Sequence, residues 1–209
     1  IIKTSINTKL QSIAEKSLIN GLIQYDKKQG WRGVLANIID DNIKLENVIK
    51  KIKNPFPNKW MIAKIDNVES TKLLLTNEEK LSFKIDLNEN SNKWLVNEKF
   101  KKGDLLFIEK RNSTYIIRQI PKVNGAIIVI EPHSGDVLAM SGGFSFILSE
   151  FNRATQAKRQ PGSAFKPIVY ISALKQGYTP STLILDAPYV IDQGPGLPKW
   201  KPANYSDVF

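Results

Sequence analysis

Arg159-Gln160-Pro161-Gly162-Ser163-Ala164-Phe165-Lys166-Pro167 sets a serine and a lysine three positions apart, immediately after a tight turn. Pro161 restricts its own backbone and Gly162 tolerates angles closed to other residues, so the chain can turn sharply into a helix at Ser163. Ala164, Phe165, Ile168, Val169, Ile171, Ala173 and Leu174 give that predicted helix an apolar side, and Gly177 is placed to cap its C-terminus. Pro167 falls in the first turn, where its missing N–H costs little.

Positions i and i+3 share a helix face, which lets Lys166 meet Ser163. A serine hydroxyl becomes a nucleophile when a base takes its proton, and a neutral lysine amine within hydrogen-bond reach is such a base. Ser163 is therefore the candidate nucleophile and Lys166 the candidate general base. Free N–H groups at the helix N-terminus would favour a developing oxyanion. A lysine must first be made neutral: moving one from about 10.4 to about 7 costs roughly 4.6 kcal/mol, which burial and cationic neighbours have to supply. The competing reading is a capping serine and a surface lysine, and spacing alone does not separate the two. Ser172-Ala173-Leu174-Lys175 has the same spacing, but Ser172 falls in the middle of the predicted helix, so it reads as packing or a solvated face.

The surrounding sequence separates them. Gly125-Ala126-Ile127-Ile128-Val129-Ile130-Glu131-Pro132-His133-Ser134-Gly135-Asp136-Val137-Leu138-Ala139-Met140-Ser141-Gly142-Gly143, then Phe151-Asn152-Arg153-Ala154-Thr155-Gln156-Ala157 and the segment from Pro161 to Pro167, closely resemble the start of the transpeptidase domain of class A penicillin-binding proteins. The similarity extends to Trp200-Lys201-Pro202-Ala203-Asn204-Tyr205. It also reaches back to Leu10-Gln11-Ser12-Ile13-Ala14-Glu15-Lys16 and to Tyr25-Asp26-Lys27-Lys28-Gln29-Gly30-Trp31-Arg32-Gly33. Of the family's types it most resembles 1A, which carries an extra small β domain at this point. S-x-x-K is the first of three signatures of that acyl-transferase group.

The resemblance implies an α+β fold: the N-terminal portion of a penicillin-binding transpeptidase fold, interrupted by a small five-stranded OB-like β-barrel. Residues 1–53 would start the transpeptidase domain, residues 54–121 form the inserted barrel, and residues 122–209 resume the domain with the S-x-x-K helix. It further implies a bifunctional peptidoglycan synthase on the periplasmic face of a Gram-negative inner membrane, with a membrane anchor and a glycosyltransferase domain upstream. The implied partners are peptidoglycan stem peptides, the lipid-linked precursor, β-lactams and cell-wall synthesis proteins. No cofactor or metal is implied.

Composition narrows the remaining classes. The chain starts at Ile1, as expected of a piece of a longer polypeptide, and contains no apolar run of the roughly 18 residues needed to span a bilayer. With no cysteine, disulfides and thiolate chemistry are out. His133 is the only histidine, and its place between Ile130 and Val137 reads as a solvated hairpin turn. The net charge of +10 is spread thinly, with ten Lys/Arg against five Asp/Glu in residues 1–53, twelve against nine in 54–121 and eight against six in 122–209. That distribution argues against a nucleic-acid surface and fits mild attraction to an anionic envelope.

Taken in order, residues 1–5 read as a short strand. Asn7 or Thr8 caps a helix with Leu10, Ile13, Ala14, Leu18, Leu22 and Tyr25 on one face. Residues 41–53 suggest a second helix with Ile43, Val48 and Ile49 inward, and Asn54-Pro55-Phe56-Pro57-Asn58 a linker. Trp31 reads as a packing anchor in preference to a ligand platform. Five short β-type runs follow, at 60–65, 72–76, 81–85, 105–109 and 115–120, suggesting a closed barrel of the OB type. Such barrels bind oligonucleotides or oligosaccharides, but Trp60 and Trp94 are not interleaved with a basic stripe. Residues 125–130 and 136–141 form a hairpin, residues 144–157 a loop and short helix, and residues 178–209 an irregular excursion.

The family's other two signatures, S-x-N and K-[TS]-G, should follow the S-x-x-K helix. No K-[TS]-G occurs in the chain, and Ser5-Ile6-Asn7 matches S-x-N only by letters. The parent is thus expected to be a serine-type D-Ala-D-Ala transpeptidase, while the 209-residue piece is expected to be inactive. The alternatives are a non-catalytic OB-type module binding peptidoglycan or protein partners, and a β-lactamase or carboxypeptidase relative.

Overall fold

The structure, a computed structural model, describes residues 3–42 and 44–204. They fall into two compact units, one up to Lys158 and one from Arg159.

The first unit is built on α1 (Thr8–Lys28). Asn7 caps it, its side-chain oxygen accepting from the N–H groups of Lys9 and Leu10 at 3.0 and 3.1 Å. Only part of the expected apolar face turns inward. Ala14 is buried, but Ile13 and Tyr25 are about half exposed, and Ile23 and Asp26 are buried in their place. The cause is that α1 serves two partners. Its C-terminal half lays Ile19, Leu22 and Ile23 on Trp60, Phe107 and Phe144. Its N-terminal half lies along a hairpin of β7 (Ile127–Ile130) and β8 (Val137–Ser141). There the Gln11 carboxamide pairs with the Met140 backbone, donating to its carbonyl at 2.8 Å and accepting from its N–H at 2.9 Å. Ile1 and Ile2 of the expected first strand lie outside the described residues. Residues 3–5 are not in a strand, although Ser5 Oγ donates to the Val137 carbonyl and Asn7 N–H to that of Leu138.

Between α1 and β7 the chain forms a sheet from β1 (Ala36–Asn37), β2 (Trp60–Glu69), β3 (Lys72–Asn77), β4 (Ser82–Asp86), β5 (Asp104–Arg111) and β6 (Thr114–Arg118). The five longer strands are those expected. They lie in the order β4-β3-β2-β5-β6, all antiparallel, with β1 adding two residues beside β5. A register shift in β2 between Ile65 and Asn67 lets the strand serve β5 with one half and β3 with the other. The core is Ala63, Ile65, Leu73, Leu75, Ile85, Leu106, Ile108 and Ile117, all at most 1% exposed.

The barrel expected from the sequence is not closed. No ladder joins β4 to β6. Asn92, fully buried, fills the seam: its side chain donates to the Tyr115 carbonyl at 2.9 Å and accepts from the Ile117 N–H at 3.0 Å. Phe83 and Tyr115 meet across the seam with ring centroids 4.7 Å apart. A carboxamide thus satisfies the edge that a sixth ladder would have covered.

The second helix, α2 (Leu45–Lys51), is shorter than expected and buries Val48, while Ile43 lies outside the described residues. Residues 54–58 are not a free linker. Pro55 is buried, its carbonyl accepts from Ser145 Oγ at 2.9 Å, and Phe56 packs edge-on against Trp60 and Phe144. Trp31 packs against Trp94 and Phe100. The short helix expected within 144–157 is a series of turns.

One buried charge ties these parts together. Asp26, 2% exposed, takes both guanidinium nitrogens of Arg32 at 2.8 Å, Gln119 Nε2 at 2.7 Å and the Lys122 N–H at 3.1 Å. Arg32 also donates to the Ile120 carbonyl at 2.7 Å. Arg32→Ala should therefore strand a buried carboxylate and lower stability by about 3–5 kcal/mol, read as a shift in the denaturant midpoint. An unchanged midpoint would show that the pair does not hold the unit together.

Candidate functional site

The second unit presents the serine and lysine singled out by spacing. Pro161 is in the helical region and Gly162 at φ +53, the left-handed turn that glycine permits. A 3-10 turn, Gly162–Phe165, runs directly into α3 (Lys166–Lys175), with Pro167 in its first turn. Ser163 therefore lies at the mouth of one helical run and Lys166 one turn on, the Lys166 N–H closing that turn onto the Ser163 carbonyl. Both side chains are exposed, and among the described residues neither makes a hydrogen bond; the turn brings them to one helix end without pairing them. Ser172 lies inside α3 and is exposed, like Lys175.

The helix ends as its glycine foretells. Gly177, at φ +87, donates to the Leu174 carbonyl and Tyr178 to that of Ala173, which is the Schellman arrangement. Phe165, Ile168, Val169, Tyr170, Ile171 and Leu174 are all half exposed or more. Helices apolar on every side belong in the interior of a larger fold. An apolar groove of about 530 Å³ lies between α3 and Ile184. Beyond it the described residues, up to 204, are irregular, as expected, with a single bridge between Ile191 and Trp200.

Comparison with known proteins now assigns the chain. Residues 125–209 match the family model of the penicillin binding protein transpeptidase domain. The whole chain aligns with penicillin-binding protein 1A of Rickettsia felis at 41% identity, covering 27% of that protein. Penicillin-binding protein 1A of Haemophilus influenzae is 33% identical over 99% of the chain and 24% of its own length. The crystal structure of the Haemophilus influenzae protein superposes with a TM-score of 0.78, at 31% identity over 99% of this chain and 31% of that one.

Over its whole length the chain is similar to penicillin-binding protein 1A, and its residues 125–209 are those of a penicillin binding protein transpeptidase domain. It spans about a quarter of the length of the curated relatives it matches. The family match begins at the β7–β8 hairpin and carries through the Ser163 turn and α3. No helix among the described residues is long and apolar enough to cross a membrane.

Some features of this segment are not legible in its sequence. Gly142 is enclosed: a Cβ there would collide with the Asn152 carboxamide and meet the Asn152 backbone at 2.8 Å, and Arg153 N–H donates to the Gly142 carbonyl. The paired Gly142-Gly143 before Asn152-Arg153 was the available signal. Lys27 lies in the last turn of α1. Its amine donates to the Ser91 carbonyl at 3.2 Å and lies 4.9 Å from the centre of the Trp94 ring.

Burial, followed by the charges of Arg118 and Arg111, pushes the Lys27 amine down from 10.5 to about 8. Below pH 8 both folded and unfolded states carry the proton, and the fold bears the whole penalty. As pH rises from about 8 to 10.5 the folded state is the first to shed it, and the penalty is relieved. Lys27→Met should thus raise stability at pH 7, by about 1 kcal/mol once solvent screening of this half-buried amine is allowed for, with the gain fading toward pH 10.5 in thermal melts. A loss of stability at pH 7 would show that the Ser91 and Trp94 contacts outweigh the buried charge.

Proposed function

We propose that this chain is the part of a bifunctional peptidoglycan synthase that carries the acylating serine. The observation that supports this reading most is the S-x-x-K pair at the mouth of the α3 helix, inside the span matched by the transpeptidase family model. Ser163 Oγ attacks the penultimate D-alanine carbonyl of a stem peptide, Lys166 takes the hydroxyl proton, and N–H groups at the helix mouth face the developing oxyanion. The terminal D-alanine leaves with a proton, and an amine of a neighbouring stem peptide resolves the acyl-enzyme to form the cross-link. β-Lactams acylate the same oxygen by opening their ring, and no cofactor enters any step.

In this reading residues 54–121 are an OB-like insertion into a transpeptidase domain made of residues 1–53 and 122 onward. The whole protein is anchored in a Gram-negative inner membrane with its catalytic domains in the periplasm, and a glycosyltransferase domain that uses the lipid-linked precursor precedes this segment. The 209-residue piece is inert. Among the described residues nothing pairs Ser163 with Lys166 or dries their surroundings, and no K-[TS]-G, nor any S-x-N after the S-x-x-K helix, occurs in the sequence.

Fluorescent penicillin provides the test. The full-length protein should be labelled stoichiometrically. Ser163→Ala should abolish labelling, and Lys166→Met should slow acylation by at least about 10³-fold with the fold intact by circular dichroism. Labelling that survives Ser163→Ala would remove the assignment of the nucleophile. Stoichiometric labelling of the 209-residue piece would remove the claim that it is inert.

A further inference from the structure

The face of α1 that meets β5 and β6 carries more positive charge than the fold uses. A pocket of about 220 Å³ there is lined by Lys16, Lys59, Arg111 and Arg118, with Glu109 as its only carboxylate. Arg118 is 5% exposed and is committed to Glu109, its Nε and Nη2 lying 2.6 and 2.5 Å from Oε2. Among the described residues the contacts of Arg118 with Glu109 run through Nε and Nη2, not Nη1. Arg111 reaches Glu109 only at 4.0 Å and Asn20 only at 3.5 Å. Lys16 and Lys59 are exposed, and neither has a partner among the described residues. Four cations against one carboxylate leave three positive charges converging on one concavity.

Cations of one sign repel, and a fold gains nothing by gathering them unless an anion completes the set. The strain is visible beyond the pocket: Arg111 and Arg118 help to push the Lys27 amine down, and burial with Arg111 holds the Arg118 guanidinium below its ordinary range even though Glu109 opposes that shift. The pocket floor is apolar and aromatic, formed by Ile23 and Trp60.

We propose that this pocket binds a phosphate-type oxyanion, as a phosphate ester or a lipid phosphate headgroup. A singly charged carboxylate would leave two of the three excess charges unanswered, whereas phosphate and diphosphate carry two or more negative charges. A guanidinium fork such as that of Arg111 pairs naturally with two phosphate oxygens. The volume accommodates a phosphate or diphosphate group but no nucleotide. Ile23 and Trp60 give the ester's apolar neighbour a surface to rest on.

Full-length protein in a neutral detergent, titrated calorimetrically with inorganic pyrophosphate, should show saturable binding to one site. The double variant Lys59→Ala/Arg111→Ala should weaken that binding at least tenfold, with an unchanged melting curve. Lys72→Ala/Lys84→Ala removes the same charge from exposed positions on β3 and β4 and should leave it within about twofold. Absence of saturable binding, or equal weakening by both double variants, would overturn the site. A parallel titration with short-chain phosphatidic acid, whose phosphate monoester carries up to two negative charges, distinguishes the sources. If it binds more tightly than pyrophosphate and with the same dependence on Lys59 and Arg111, the ligand is a lipid headgroup. If only pyrophosphate depends on those residues, the ligand is a soluble phosphate ester.

Discussion

Asp26 carries a buried negative charge that four donors from three places in the sequence have to meet. It sits in the last turns of α1. Arg32 comes from the chain as it leaves that helix, and Gln119 and Lys122 come from the chain as it returns after β6. Everything between Arg32 and Gln119 is therefore hung from one carboxylate by both its ends. A buried ion pair contributes little to stability compared with apolar residues of the same shape, but it tolerates no other geometry once formed. Here the consequence is positional. The β-rich stretch returns its chain to the point it left, so β7 can begin against the same helix. The entropy of closing so long a loop grows only slowly with length, so a domain can be carried there without prising the flanking elements apart.

The same economy recurs at the sheet edges, where carboxamides take the place of strands. Asn92 answers one carbonyl and one N–H of β6, and Gln11 does the same for Met140 in β8. Asn37 accepts from Ile39 and Asp40 and donates to Lys102 and Asp104, pinning the turn into β5. A side-chain amide offers a donor and an acceptor with nearly the spacing of a peptide group, so it can end a ladder without inviting another chain to extend it. The open seam between β4 and β6 follows from this substitution. With Asn92 seated on β6, a ladder to β4 would have to displace a fully buried, fully bonded group.

What could be read from sequence was whatever depends on neighbours along the chain. The five longer strands of the first sheet, the Asn7 cap, the β7–β8 hairpin and the Gly177 stop all rest on local pattern, and all are present. What depends on distant partners was not legible. Ile13 and Tyr25 have the right periodicity for the inward face of α1, yet they are exposed because the helix rotates to bring Ile23 and Asp26 onto the sheet and Arg32. Pro55 and Phe56 look like a linker because proline and asparagine break regular structure. Their packing on Trp60 and Phe144, however, depends on a segment nearly ninety positions away. Closure of the barrel failed for the same reason, since one asparagine far from β6 in the chain decides it.

The helix that carries Ser163 and Lys166 shows this division at its extreme. Every local determinant agrees: the Pro161-Gly162 turn, the proline in the first turn and the glycine after the last all define where it begins and ends. Its side chains have no such resolution. With Ile168, Val169, Tyr170, Ile171 and Leu174 all half exposed or more, the helix has no solvent side and no core side. A sequence that specifies termini so sharply while leaving all its faces apolar is suited to the middle of a domain, surrounded on all sides. Those missing surroundings are also what the proposed chemistry requires, because the walls that would bury the apolar faces would exclude water from the mouth of the helix. Packing and the activation of a serine by an amine thus make the same demand, an enclosure around this helix.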